Sequence, residues 1–280
     1  MASRVPTREL GNTGEEVSIL GLGGYHIGLL EEKDSIQLIR QAIDQGITFL
    51  DNAWCYHNGL SEKIMGRALQ DGYREKAFLM TKNHGRTVER FNKQLEDSLK
   101  RLQTDYIDLL QFHEIINEGE PAKIEKEKVL EAALKAKEAG KIRYLGFTGH
   151  RDPHYHQQML ELDIDWDTLQ IPVNLLDYHY RSFQKQLIPQ AEERGIGVIG
   201  MKSLASGRIF NTDLTVEEAI SYCLSLPIST LVSGIDSFQV LEQNLEIVEN
   251  FQPATEEELY SLRTRLEPEA YKGQHEYYKH

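Results

Sequence analysis

The sequence is poor in the residues that build disulfide frameworks and cysteine-based metal sites. Only two of its 280 residues are cysteine, Cys55 and Cys223. Two isolated cysteines provide neither a disulfide scaffold nor a cluster of metal ligands. The chain also lacks a long apolar run, and its first ten residues, MASRVPTREL, have no apolar core of a signal peptide. We therefore expect a reduced, cytoplasmic protein that does not enter membranes.

Basic residues are scarce as well. The chain has 31 Lys and Arg against 44 Asp and Glu, a net charge of −13, and it contains no run of basic residues. A protein of this charge repels the phosphate backbone of nucleic acids unless a local basic patch compensates. Nucleic acid is therefore not an expected partner.

Short apolar segments are abundant, and amphipathic stretches with helical spacing separate them. Eight such segments occur: VSILGLGG, ITFLD, AFLMTK, YIDLLQFH, IRYLGFTGH, TLQIPVN, GVIGMK and TLVSG. Eight alternations of strand and helix predict an α/β protein and favour a closed (β/α)8 TIM barrel formed by residues 1–280 as a single domain. An open doubly wound sheet is the alternative, but the glycines of GLGG lack the GxGxxG spacing that holds a dinucleotide in that fold.

Both ends of the chain carry additional predicted elements. The segment RELGNTGEEVSILGLG predicts an N-terminal β-hairpin that turns at residues 12–14 and leads into the first barrel strand. After Pro253, Thr255 and Glu258 have the spacing of a capping box and predict an extra C-terminal helix. The polar segment that follows, KGQHEYYKH, predicts a mobile tail.

Most of the predicted strands end in a residue with useful chemistry. These residues are Asp51, Lys82, His113, His150, Asn174 and Lys202. In a parallel barrel the carboxyl ends of all strands lie on one face, so side chains distant in sequence converge there. Each residue alone also has a structural explanation, as a helix cap, a solvated rim residue or a satisfied histidine. Six such residues at successive strand ends predict a functional site on that face of the barrel.

The residues around the second predicted strand suggest proton transfer. Tyr56 follows Asp51 closely, and a phenol with an ordinary pKa of about 10 is a slow acid at neutral pH. An ammonium such as that of Lys82 lowers a nearby phenol pKa, and a carboxylate holds the ammonium in place. An imidazole such as that of His113 can orient a carbonyl oxygen.

Several segments resemble the aldo-keto reductase superfamily, over a range from about Arg8 to Phe251. These are GITFLDNAWCY with the following SE, TK, DLLQFH, QIPVN and VLEQN. The resemblance implies a (β/α)8 barrel closed at its bottom by a hairpin, with a catalytic tetrad of Asp51, Tyr56, Lys82 and His113. It also implies reversible hydride transfer between NAD(P)H and an aldehyde or ketone, with Tyr56 as the general acid and base. The partner is then a small carbonyl or alcohol substrate, and the chain is expected to be a monomer.

The same resemblance implies a set of cofactor-binding positions. They are Gly23, Gly24, Asn52, Thr148, Gln170, Met201, Lys202, Ser203, Leu204, Arg208, Gly234, Asp236, Ser237, Gln243 and Asn244. NADP(H) is favoured by the family, but the charged residues that commonly bind its 2′-phosphate are replaced by Gly234, Ile235 and Val240. Asp236 adds a carboxylate nearby, so NAD(H) is the alternative cofactor.

Residues that follow strand ends on the same face are expected to line the substrate pocket or to pack at its rim. They are Tyr25, His26, Trp54 and His150. The short charged segment from Asn117 to Glu125 predicts an abbreviated lid and an open pocket. No metal is expected, because GHRDPHYH, with three histidines, contains a proline and lacks the helical spacing of ligands. Cys55 is expected to be a packing residue.

Two other functions are compatible with parts of the sequence. The first is a barrel that binds a dinucleotide as a redox sensor or regulatory subunit, without significant turnover. The second is a metal-assisted hydrolase that uses the histidines. The complete set of Asp51, Tyr56, Lys82 and His113 argues for the oxidoreductase over both.

Overall fold

The computed structural model describes residues 4–280 and shows a closed barrel of eight parallel strands. The barrel order is β10-β3-β4-β5-β6-β7-β8-β9. The strands are β1 (Thr7–Glu9), β2 (Glu16–Ser18), β3 (Leu20–Gly23), β4 (Phe49–Asp51), β5 (Phe78–Asn83), β6 (Ile107–Phe112), β7 (Ile142–Thr148), β8 (Thr168–Pro172), β9 (Gly197–Met201) and β10 (Thr230–Ser233). The predicted (β/α)8 barrel is confirmed, and the open sheet is excluded.

Helices follow the barrel strands and cover the outside of the barrel. They are α1 (Gly24–Ile27), α2 (Glu32–Asp44), α3 (Leu60–Ala68), α4 (Val88–Leu102), α5 (Glu120–Lys126), α6 (Val129–Glu138), α7 (Pro153–Leu160), α8 (Phe183–Arg194), α9 (Val216–Leu224), α10 (Phe238–Glu249) and α11 (Glu256–Leu266). Helix α4 shows how the sequence specifies them. The side chain of Thr87 caps its first turn, and Phe91, Leu95 and Leu99 bury one face against the barrel.

The N-terminal hairpin closes the bottom of the barrel. Strands β1 and β2 pair antiparallel, with Arg8 opposite Val17, and the turn between them lies at residues 11–13. Leu10 and Val17 are fully buried in a cluster with the first residues of β4 and β5, Phe49 and Phe78. The predicted segment VSILGLGG is therefore two strands, since its first residues belong to the hairpin and the rest to the barrel.

The C-terminal helix is confirmed, but the predicted mobile tail is wrong. Helix α11 begins at the capping box of Thr255 and Glu258. Beyond it the chain packs back onto the barrel, and Lys279 is fully buried. Its Nζ lies 2.6 Å from Oδ1 of Asp177 and 2.9 Å from Oε1 of Glu276. The polar composition of the tail misled the prediction, because Glu276 and Lys279 are paired inside the protein.

Over residues 4–280, no helix combines the length and apolar character needed to cross a bilayer.

Candidate active site

Four side chains from three successive strand ends meet at the carboxyl end of the barrel. Asp51 is the last residue of β4, Lys82 lies near the end of β5, and His113 directly follows β6. Lys82 and Asp51 are both 2% exposed, and Nζ of Lys82 lies 2.7 Å from each carboxylate oxygen. The same Nζ lies 2.9 Å from the carbonyl oxygen of Asn52 and 3.4 Å from the hydroxyl of Tyr56. Adjacent parallel strands thus bring together residues that are distant in sequence.

Tyr56 lies in a short 3₁₀ turn, Tyr56–Gly59, that follows β4. Tyr56 is partly exposed, yet burial of the phenol raises its pKa well above the usual value, and the Asp51 carboxylate raises it further. The sequence predicted the opposite direction, from the ammonium of Lys82. In the protein without cofactor, burial and the carboxylate outweigh that ammonium. Tyr56 therefore carries its proton at neutral pH and can donate it.

His113 is held neutral by its surroundings. Burial lowers the pKa of its imidazole well below the usual value, and the charge of Lys82 adds to this effect. The ring packs edge-on against Tyr56, with 5.8 Å between the ring centroids. A neutral imidazole beside a protonated phenol can donate a hydrogen bond to a carbonyl oxygen, while the phenol supplies the proton.

A charged group beside His113 was missed from the sequence. His84 packs against His113 with 4.3 Å between ring centroids, and its Nε2 lies 3.0 Å from the carboxylate of Glu114. Burial opposes protonation of His84, but contacts with Cys55 and Glu114 outweigh it and raise the pKa to about 9. Contacts with His150 and then His84 hold the pKa of Glu114 well below its usual range. Both residues lie just past strand ends, so extending the strand-end pattern by one or two positions finds them.

Gln170 is the predicted cofactor residue with the clearest fit to a ligand. It lies in β8, is 1% exposed, and donates from Nε2 to Oδ2 of Asp51 over 2.8 Å. Its Oε1 is buried and has no hydrogen-bond partner within the described part of the chain. A buried acceptor without a partner is costly. The carboxamide group of a nicotinamide has the donor that this oxygen lacks.

Three other predicted cofactor residues are packed inside the protein. Asn52 is fully buried, and its side chain contacts Sδ of Met65 and the backbone N–H of Ala53. A Cβ on Gly24 would lie 2.7 Å from the carbonyl oxygen of Asp51, and one on Gly23 2.9 Å from that of Ser233. These residues allow neighbouring strands and loops to approach closely, so the structure gives them a packing role.

The loop after β9 places two cations beside tyrosine rings of the C-terminal tail. Nζ of Lys202 lies 4.9 Å from the ring centroid of Tyr278, and the guanidinium of Arg208 lies 5.8 Å from that of Tyr277. Burial lowers the pKa of Lys202. The other predicted residues here differ in exposure: Thr148 and Ser203 are buried, while Met201 and Leu204 are partly exposed.

Of the predicted cofactor residues after β10, two make hydrogen bonds within the protein and two are exposed. Ser237 caps α10 by accepting a hydrogen bond from the N–H of Val240, and Asn244 donates to Oγ of Ser233 over 2.8 Å. Asp236 and Gln243 are exposed.

His26 packs on the residue that follows β10. A Cβ on Gly234 would meet its ring at 2.3 Å, so His26 lies over Gly234, the first residue after β10. Burial lowers the pKa of His26, and the charge of Asp236 opposes this shift.

The remaining predicted pocket residues have different positions. Tyr25 packs edge-on against Tyr56, with 5.4 Å between ring centroids, and is half exposed. Trp54 instead turns toward α4, where its Nε1 lies 3.3 Å from Oδ2 of Asp97, so it has the rim-packing role. His150 Nδ1 contacts the carbonyl oxygen of Tyr278 at 3.0 Å, and Asn174 donates to the hydroxyl of the same tyrosine.

The histidines of GHRDPHYH have separate environments. His150 faces Glu114 and the tail, His154 is exposed, and His156 is fully buried between aromatic rings. Within residues 4–280 they do not form a group with the spacing of metal ligands.

Barrel and site together define an enzyme of the (β/α)8 class, with its polar residues at the carboxyl ends of the strands. Comparison with known proteins gives the family. Residues 19–222 match the sequence model of the aldo/keto reductase family, and the chain belongs to that family of oxidoreductases.

Relatives and solved structures agree with this assignment. Aldo-keto reductase AFTS1 of Alternaria alternata is 33% identical, over 74% of this chain and 67% of its own. L-galactose dehydrogenase of Arabidopsis thaliana is also 33% identical, over 73% of this chain and 67% of its own. The holo form of aldo-keto reductase AKR11C1 from Bacillus halodurans superposes with a TM-score of 0.79 at 25% identity, covering 97% of this chain and 99% of that one. An aldo-keto reductase from Klebsiella pneumoniae in complex with NADPH gives 0.78 at 25% identity, covering 96% of both chains.

Proposed function

We propose that the protein is an NAD(P)H-dependent carbonyl reductase in which Tyr56 is the general acid. One relationship supports this most directly. Nζ of Lys82 lies between the Asp51 carboxylate and the Tyr56 hydroxyl, at 2.7 Å and 3.4 Å. A buried ammonium fixed by a carboxylate can stabilise the phenolate that remains after proton transfer.

Each member of the site then has one role. A nicotinamide held by Gln170 would supply the hydride for the carbonyl carbon. Tyr56 gives its proton to the oxygen as negative charge develops there, and neutral His113 hydrogen-bonds the same oxygen and orients it. Lys82 stabilises the tyrosinate, and Asp51 keeps Lys82 in position. Alcohol oxidation is the reverse, with tyrosinate accepting the proton.

The cofactor would lie between Gln170 and the loop after β9. Gln170 Oε1, a buried acceptor without a partner in the described residues, fits the nicotinamide carboxamide. Lys202 and Arg208, on the loop after β9, are the cations that we expect to bind the pyrophosphate and the 2′-phosphate, and the related Klebsiella reductase was solved with NADPH. NADP(H) is therefore the favoured cofactor. The exposed Asp236 and the absence of charge at Gly234 and Ile235 keep NAD(H) as the alternative.

The test combines binding with turnover. A dinucleotide that binds only the folded protein stabilises it by about 2.7 kcal/mol at a hundred times its Kd, which is visible as a rise in Tm. We expect NADPH to raise Tm and to be oxidised when aldehydes or ketones are added. Tight binding without turnover of any carbonyl compound would instead indicate a redox sensor. No dinucleotide binding, with hydrolysis that depends on a metal, would refute the reductase.

Other features stay predictions from the sequence. We propose that residues 1–280 act as one barrel domain, that the protein is a cytoplasmic monomer, and that its substrate is a small carbonyl or alcohol compound. Gel filtration with light scattering measures the oligomeric state directly.

A further inference from the structure

The geometry points to a binding site for a thiophilic divalent cation such as Zn²⁺, formed by Cys55, His84 and His113. Occupancy of this site would reversibly block carbonyl reduction. The three residues come from the loops after β4, β5 and β6, so barrel closure alone brings them together. The sequence did not predict this site, because only His113 ends a predicted strand and Cys55 looked like a packing residue.

The three side chains already have nearly the spacing of ligands around one ion. Their ligand atoms all lie within 4.8 Å of one another, and this is the only such group found in residues 4–280. Sγ of Cys55 lies 3.7 Å from Nδ1 of His113. Tetrahedral Zn²⁺, with bonds of about 2.0 Å to nitrogen and 2.3 Å to sulfur, places its ligand atoms roughly 3.3–3.6 Å apart. Separations above this range close by rotation of the partly exposed side chains of Cys55 and His84.

Glu114 gives the site the support that metal-bound histidines usually have. Its carboxylate lies 3.0 Å from Nε2 of His84. A carboxylate behind an imidazole fixes the ring and its tautomer, and it leaves the other nitrogen, Nδ1 of His84, available to a cation.

The charges nearby allow a cation to bind. Two positive charges oppose the ion. The ammonium of Lys82 is paired with both oxygens of Asp51, and the imidazolium of His84 releases a proton to solvent when its Nδ1 binds the ion. A thiolate at Cys55 and the carboxylate of Glu114 supply two negative charges next to the ion.

The ligand set predicts which cations bind. One sulfur and two imidazoles suit Zn²⁺ or Co²⁺, whereas Mg²⁺ requires oxygen ligands. Cys55 and His84 are partly exposed, so water can complete the coordination as the fourth ligand. A site of this kind is open and exchangeable, and it differs from a closed structural zinc site.

The effect on catalysis rests on the proposed function, but the binding does not. His113 is the residue proposed to orient the carbonyl oxygen. A cation bound to its Nδ1 would fix the ring, whose centroid lies 5.8 Å from that of Tyr56, so that His113 could no longer turn to orient the carbonyl oxygen. Reduction would therefore stop until a chelator removes the ion.

The binding test uses the full chain without cofactor. Zn²⁺ is titrated by calorimetry, and Co²⁺ is titrated by absorption, in which a sulfur-to-cobalt band reports thiolate ligation. We expect one ion per chain, at least tenfold weaker Zn²⁺ binding in Cys55→Ser and in His84→Gln, and loss of the sulfur band in Cys55→Ser. His154→Ala, which removes an exposed histidine outside the site, should bind like the native protein, and Mg²⁺ should give no signal.

Two results would overturn the proposal. One is Zn²⁺ affinity within twofold of native in both Cys55→Ser and His84→Gln, with Tm confirming that both variants are folded. The other is a sulfur-to-cobalt band that persists in Cys55→Ser, since the remaining cysteine, Cys223, is buried and donates to the carbonyl of Val173.

The activity test is separate. Zn²⁺ should inhibit carbonyl reduction, and EDTA should restore it. Each protein's activity is expressed relative to its own rate without Zn²⁺. On that scale Cys55→Ser should need at least ten times the Zn²⁺ concentration that half-inhibits the native protein. If the protein reduces no carbonyl compound, the proposed function fails, while the titrations still decide whether the cation site exists. Binding at the site without inhibition would refute the inhibitory role alone.

Discussion

Lys82 donates to both carboxylate oxygens of Asp51, with Nζ 2.7 Å from each, in a region where both side chains are 2% exposed. Removing one partner leaves a buried charge without compensation, which typically costs about 3–5 kcal/mol. We therefore expect Lys82→Met to lower the free energy of unfolding by about that amount. The double variant Asp51→Asn with Lys82→Met should be more stable than Lys82→Met alone. Urea unfolding of the single and double variants measures this coupling, and additive effects would contradict it.

The hydroxyl of Tyr56 is the only part of that side chain with a proposed role in proton transfer. Tyr56→Phe keeps the ring and its contacts with Tyr25 and His113 but removes the acid. We expect carbonyl reduction to fall at least about a hundredfold, while the Kd for NADPH changes little. Stopped-flow oxidation of bound NADPH measures the first quantity and cofactor fluorescence the second. A Tyr56→Phe enzyme with near-native turnover would refute the role of this residue.

The parts of the site that the sequence predicts are those that the barrel topology determines. Asp51, Lys82 and His113 lie at or near the ends of three successive strands, and parallel pairing of those strands brings them together. Eight alternations of apolar and amphipathic segments are enough to predict this topology. The barrel and the tetrad therefore follow from pattern and resemblance.

The parts that the sequence leaves open depend on loop conformation and long-range pairing. Trp54 and His26 follow strand ends, but the loops turn the first toward α4 and place the second over Gly234. The burial of Lys279 depends on Asp177, which is 102 residues away in sequence. The raised pKa of Tyr56 depends on burial depth, which residue type does not reveal.

The paired charges of the C-terminal tail predict a stabilising role for Lys279. Its ammonium lies between Asp177 and Glu276, and all three side chains are fully buried. Lys279→Met leaves two buried carboxylates without their cation, so we expect a loss of about 3–5 kcal/mol in the free energy of unfolding. Lys272→Met, at an exposed position of the same tail, should change it by less than about 0.5 kcal/mol. Equal stability of the two variants in urea would contradict the buried ion pairs.

Asp236 provides a test of cofactor preference. Its exposed carboxylate follows β10, where the resemblance places the 2′-phosphate, and we expect it to repel that group. Asp236→Ala should tighten NADPH binding by about two- to fivefold, as expected for one exposed charge, and leave NADH binding nearly unchanged. The control is Glu161→Ala, an exposed carboxylate at the end of α7. Tighter binding of NADH than of NADPH by the native protein would reverse the proposed preference.

His156 predicts a specific loss of stability in acid. The ring is fully buried against Phe147 and Phe183, and burial outweighs a contact with the backbone of Gln170 and lowers its pKa to about 3. Its unfolded pKa is about 6.5, so the unfolded chain binds the proton more tightly. The stability contributed by neutral His156 is therefore fully present above pH 6.5 and is lost as the pH falls toward 3.

The size of this loss follows from the pKa difference. Between pH 7 and pH 5 the native protein should lose about 2 kcal/mol more than His156→Leu, because 1.5 pH units below the unfolded pKa correspond to about 2 kcal/mol. The control is His154→Ala, which removes the exposed histidine two residues earlier and should keep the native pH dependence. Urea unfolding at both pH values measures the difference. The free energy of unfolding of His156→Leu and of the native protein could instead fall by equal amounts between pH 7 and pH 5. His156 would then take up its proton in the folded state, which would contradict a neutral, buried ring at this position.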